Sequence, residues 1–99
     1  MMELSKLREI LKKKYYPLDS KSSPLFLLSV LFEEVGELAE SVRKRDLKGI
    51  EEELADVLFM ILSLANYFGV ELEKKLIEKY VEGGPSRRWD LEESGKASS

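Results

Sequence analysis

The chain has 99 residues, with 16 basic and 19 acidic side chains for a net charge of −3, and neither cysteine nor histidine. That size is one domain with a thin core. The missing residues exclude disulfides, thiolate chemistry and imidazole bases or ligands, and the mild acidity gives no electrostatic ground for binding nucleic acid. Any chemistry must rest on carboxylates, amines, hydroxyls or a metal. Acids interrupt the apolar stretches before they reach membrane-spanning length. The first residues, Met-Met-Glu-Leu-Ser-Lys, carry no apolar signal core, so the expected compartment is the cytoplasm, with no membrane partner.

In chain order, Leu4, Leu7, Ile10 and Leu11 recur at helical spacing and predict a first helix from about Glu3 to Lys14, with Pro17 blocking its continuation. Ser23-Pro24 suits the start of a second helix, serine as N-cap and proline at the first helical position. This helix is expected to run to about Arg45. Leu28, Leu31, Phe32, Val35, Leu38, Ala39 and Val42 form its main apolar stripe, and Phe26, Leu27 and Val30 lie on the other side. A helix apolar all round is buried all round, which a chain this short hardly achieves alone. A homo-oligomer is therefore expected.

Asp46 can cap a third helix that ends at Phe68, with Gly69 as its C-terminal stop. Its stripe is Ile50, Leu54, Val57, Leu58, Ile61, Ala65 and Phe68. A fourth helix is predicted from about Glu71 to Val81, closed by Gly83-Gly84-Pro85. Arg87, Arg88 and Trp89 follow, and then a polar tail. Residues 1–89 are read as the helical domain and 90–99 as a disordered tail.

Two acid pairs carry the chemical signal. Glu34 and Glu37 are three apart on the second helix, as are Glu53 and Asp56 on the third. Residues at i and i+3 share a face. Two long helices joined by a short turn pack antiparallel, which brings the pairs to nearly the same height. Plain solvation is the ordinary state of a helical glutamate, and Glu33, Glu40, Glu51 and Glu52 are read that way or as supporting groups. Asp56 is different. It stands within Leu54-Ala55-Asp56-Val57-Leu58, where an unpaired buried charge is costly and a cation offsets the cost. An all-carboxylate set suits Mg²⁺, with Mn²⁺ as a substitute, and such sites usually serve substrate phosphates. A di-iron bundle needs Glu-x-x-His motifs that a chain without histidine cannot supply.

Glu33-Glu34-Val35-Gly36-Glu37-Leu38 followed by Glu53-Leu54-Ala55-Asp56 resembles the EExxE…ExxD pattern of MazG-like nucleoside triphosphate pyrophosphohydrolases. The resemblance covers roughly Leu25 to Trp89. It implies an all-α fold of four antiparallel helices completed by oligomerisation, as a dimer or dimer of dimers. It implies Mg²⁺-dependent cleavage of a nucleoside triphosphate into monophosphate and pyrophosphate. By position it makes Glu34, Glu37, Glu53 and Asp56 the metal ligands. Glu33 takes a supporting role, and Glu33 or Glu37 accepts the proton of the attacking water. Asn66 would lie near the nucleotide, and Lys79, Arg87 and Arg88 would meet phosphate oxygens. Three rival expectations stand beside this one: a phosphoribosyl-ATP pyrophosphohydrolase, a dimeric dUTPase, and a non-catalytic helical assembly module whose acids are surface charges.

Overall fold

The computed structural model describes residues 2–84. Arg87, Arg88, Trp89 and the 90–99 tail lie outside the described residues, as does the domain boundary expected there. Every element is helical: α1 (Leu4–Asp19), α2 (Pro24–Arg43), α3 (Leu47–Phe68) and α4 (Leu72–Leu76), the last passing into π-helical turns over Ile77–Glu82. No single helix among the described residues is long and apolar enough to cross a membrane.

The caps explain most boundaries. The Ser23 hydroxyl accepts the Phe26 backbone N–H at 3.0 Å, with Pro24 at the first helical position. The Asp46 carboxylate accepts the Gly49 N–H at 3.1 Å. Gly69 ends α3 in the left-handed region at φ 66°, where a side chain would be strained.

Three predicted boundaries shift. α1 runs through Pro17 to Asp19 rather than stopping at Lys14. Proline there falls in the last turn and forfeits only its own N–H, while the Ser20 N–H still closes on the Tyr16 carbonyl at 2.8 Å. α2 stops at Arg43, because Arg45 takes a left-handed φ of 54° to turn the chain into the Asp46 cap. The fourth helix keeps its α-helical register only to Leu76 before the π-helical turns begin.

α2 and α3 form the central hairpin. Ser41 abuts Gly49 near the turn, and Glu34 meets Glu53 further along, so the two helices are antiparallel. α1 lies on the C-terminal half of α3 and runs against it. Arg8 reaches Ala65 and Asn66, while Tyr15 packs edge-on against Phe59 at 4.9 Å between ring centres.

Among the described residues the buried core is small: Leu27, Met60, Leu62 and Ala65, with Ser63 and Asn66. Far more apolar surface is open. On α2, Phe32, Val35 and Val42 are exposed; on α3, Leu47, Leu54, Leu58, Ile61 and Phe68 are exposed. Their spacing of three, four and seven residues is that of a helix-packing seam. This corrects the expected division of α2. Leu27, read on the other side, faces α3 and is buried, whereas Phe32, Val35 and Val42 of the main stripe stay exposed in the single chain. A helix with apolar residues on several sides does not say which side its own chain will cover. That choice follows from the hairpin register, which turns Leu27 and Glu34 toward α3.

Candidate metal centre

The acid pairs meet where the hairpin register brings them level. Glu34, Glu37 and Glu53 each offer a carboxylate oxygen within 4.8 Å of the others. Asp56 is outside that set, yet its charge is still felt by Glu34. Glu34 and Glu53 are half-buried, Glu37 and Asp56 exposed. The core of the centre is therefore the Glu34–Glu53 pair across the hairpin, with Glu37 and Asp56 each one turn further along its helix.

Glu34 Oε2 and Glu53 Oε2 are shut off from solvent, and neither has a hydrogen-bond donor among the described residues. Two such oxygens are stable side by side only if they share a proton or face a cation. Without a cation the proton wins. Glu34 is pushed up from 4.5 to about 7, first by a hydrogen bond shared with Glu53, then by burial, then by the charges of Glu37, Glu53 and Asp56. No lysine or arginine forms an ion pair with any of these four acids among the described residues. The basic side chains instead hold other acids. Arg43 and Lys44 grip Glu40, whose carboxyl they hold below the usual range. An all-oxygen set of converging carboxylates, two of them with solvent-shut oxygens, fits a divalent cation.

The burial expected for Asp56 is not found. Its helical neighbours Leu54 and Leu58 are themselves 52% and 43% exposed, so the apolar residues around Asp56 do not enclose it within one chain. The electrostatic tension lies instead at Glu34 and Glu53, whose sequence context is less apolar. Glu33 is exposed at the rim of the cluster, one residue before Glu34.

Asn66 sits 13 residues past Glu53 on α3, about 20 Å along the helix axis at ~1.5 Å per residue. It is 7% exposed. Its Oδ1 accepts from Arg8 Nε at 2.7 Å, and its Nδ2 donates to the Arg8 carbonyl at 3.2 Å. In the single chain its amide pins α1 to α3. Lys79 is exposed on the π-helical turns, with its ammonium 5.5 Å from the centre of the Tyr80 ring. Arg87 and Arg88 fall outside the described residues.

Sequence reasoning passed over Arg8. Its guanidinium joins three elements: it pairs with Glu73 at 2.6 Å and donates to the carbonyls of Ala65 and Val70 as well as to Asn66. Glu73 is held below the ordinary carboxylate range by its own backbone N–H and by Arg8. The available signal was one arginine on the face shared with Leu4, Leu11 and Tyr15, where a charge needs a partner.

The profile of the MazG nucleotide pyrophosphohydrolase domain matches residues 22–87. Those residues hold all four acids, and the match begins just before the N-cap of α2. The chain is also 37% identical to the uncharacterized protein YpjD of Bacillus subtilis (strain 168), across 75% of this chain and 78% of the relative.

Proposed function

Because the chain belongs to the MazG nucleotide pyrophosphohydrolase domain family, we propose that it hydrolyses a nucleoside triphosphate to the monophosphate and pyrophosphate. In this reading Glu34, Glu37, Glu53 and Asp56 hold Mg²⁺, for which Mn²⁺ can substitute. The observation that carries the reading is the pair of solvent-shut, donor-less oxygens on Glu34 and Glu53, in carboxylates that converge across the hairpin within 4.8 Å. A divalent cation bound there neutralises charge on the phosphate chain and lowers the pKa of a bound water.

The protein's own groups divide the remaining work. Glu34 and Glu53 fix the position of the centre, because both sit on the hairpin contact line and cannot swing away. Glu37 and Asp56 are exposed and open toward an incoming phosphate. Glu33, at the rim, is free to orient the attacking water, and Glu33 or Glu37 takes up its proton. Lys79, Arg87 and Arg88 remain the proposed phosphate contacts, and Asn66 a contact near the nucleotide once chains assemble. The active form is a homo-oligomer, a dimer or dimer of dimers, whose chains meet on the exposed seam of α2 and α3.

The test is a panel of ribo- and deoxyribonucleoside triphosphates, with dUTP and phosphoribosyl-ATP included, incubated with Mg²⁺ while both products are measured. Equimolar monophosphate and pyrophosphate is the expected result. Orthophosphate release, or no turnover across the panel, would overturn the reading.

A further inference from the structure

The acid centre does not stand alone on its side of the hairpin. On α2, the residues Phe26, Val30, Glu33 and Glu37 follow one another at intervals of four, three and four, so they form one stripe. On α3, Asp56, Phe59 and Ser63 do the same. In an antiparallel pair, stripes set at the same rotational offset from the contact line fall on the same edge. The edge that carries the exposed acids therefore continues, toward the start of α2, into an aromatic end. The packing seam of Phe32, Val35 and Val42 is on the opposite edge and does not account for it.

One open ring, Phe26 on α2, and one ring pair, Phe59 with Tyr15, stand toward this end. Phe26 is 58% exposed. Phe59 is half-buried and packs edge-on against the half-buried Tyr15, with ring centres 4.9 Å apart. From Glu34 to Phe26 is eight residues along α2, and from Glu53 to Phe59 six along α3, about 12 Å and 9 Å at ~1.5 Å per residue. That is the span a sugar bridges between a phosphate held at the acids and a base. The acids attract cation and phosphate and have nothing to offer a base. A ring face does, since stacking accepts any base.

We infer that Phe26 and the Phe59–Tyr15 pair form the nucleoside end of this site, taking the base of a nucleoside triphosphate whose phosphate chain lies at the acid cluster. This rests on the proposed function for the location of the phosphates, and on the aromatic edge for the base.

Binding is measured by calorimetry on the assembled protein with Ca²⁺, using dATP, dCTP and inorganic tripolyphosphate as probes. The unaltered protein is expected to hold each nucleotide at least tenfold more tightly than tripolyphosphate. Phe26→Ala is expected to cut that preference to threefold or less while leaving tripolyphosphate affinity within about twofold, since stacking is worth ~1–3 kcal/mol per base and tenfold is 1.4 kcal/mol. Phe59→Leu, which keeps bulk against Tyr15, is expected to act in the same direction. Equal loss of both ligand types, dissociation of the oligomer by Phe26→Ala, or unchanged preference in both variants would overturn the inference. The parent reading fails separately. Absence of pyrophosphate release with the nucleotide preference intact refutes that reading alone, and pyrophosphate release with a KM indifferent to both substitutions refutes this one alone.

Discussion

At the scale of single residues, the Glu34–Glu53 contact sets the behaviour of the site. Glu53→Gln keeps the shape, removes one charge and supplies an amide N–H to the donor-less oxygen of Glu34. In EDTA this variant should be more stable than the parent, by about 1 kcal/mol for the hydrogen bond gained. With Mg²⁺ the order should reverse, because the parent is stabilised by an ion that only the folded form binds. Asp56→Asn should abolish pyrophosphate release by 100-fold or more with no loss of metal-free stability, since it only removes a like charge from the neighbourhood of Glu34. Thermal melts with EDTA and with Mg²⁺ check both variants. Equal Mg²⁺ shifts in parent and Asp56→Asn would remove Asp56 from the ligand set.

The pH response of the metal-free protein follows from the same residue. Glu34 titrates at about 7 when folded, against 4.5 as its ordinary value. Between these values the folded state holds a proton that the unfolded state has released. Stability must then fall as pH rises through that window, with the loss complete above pH 7. Melting temperatures in EDTA at pH 5, 6, 7 and 8 should decline through this contribution, which Glu53→Gln should reduce. Mg²⁺ should oppose the decline, because the cation binds the deprotonated pair. A melting temperature that rises steadily from pH 5 to 8 in EDTA, identically in parent and Glu53→Gln, would contradict this account.

At the scale of elements, Arg8 decides how α1 meets the rest. Its side chain is 13% exposed and that of Glu73 is 23%, so this is a largely enclosed ion pair in a network, unlike the open pairs on Glu40. Removing Arg8 also strands the side-chain Oδ1 of Asn66 and frees the start of α4. Arg8→Ala should therefore cost about 2–4 kcal/mol of stability. At a temperature where the variant remains folded, its Mg²⁺ affinity should stay within about threefold of the parent, since the acid cluster is remote from Arg8 along α3. Chemical denaturation and Mg²⁺ titration measure the two effects. A large loss of Mg²⁺ affinity without loss of stability would show that α1 acts on the centre directly.

At the scale of the whole molecule, the imbalance between core and exposed apolar surface is the dominant fact. Among the described residues four apolar side chains are buried, while Phe32, Leu47, Leu54 and Phe68 are each more than half exposed. So many large apolar side chains left open on two neighbouring helices are uncommon in a monomer. Light scattering should report a dimer or larger assembly at micromolar concentration. Leu58→Glu should break it, because an unpaired charge cannot be enclosed in a dry seam. Lys48→Glu, on a helix surface already bearing charge, serves as the control and should leave the assembly intact. A stable monomer of the parent protein would refute the oligomer. A Leu58→Glu oligomer of unchanged size would move the interface to another face.

What the sequence determined by itself was local or periodic in origin. Ser23-Pro24, Asp46 and Gly69 mark helix ends through hydrogen bonds within one turn, and those ends stand where the residues indicated. The spacing of Glu34 with Glu37 and of Glu53 with Asp56 placed each pair on one helix face, because helical geometry is the same wherever the helix lies. Tertiary structure decided the rest. Which flank of α2 faces its own chain, that Glu34 and Glu53 rather than Asp56 bear the desolvation, and that Asn66 is claimed by Arg8 all depend on contacts between residues far apart in the chain. Periodicity fixes an angle around a helix axis but not what stands opposite that angle. Only the register of α2 against α3, and of α1 against both, supplies the opposite partner.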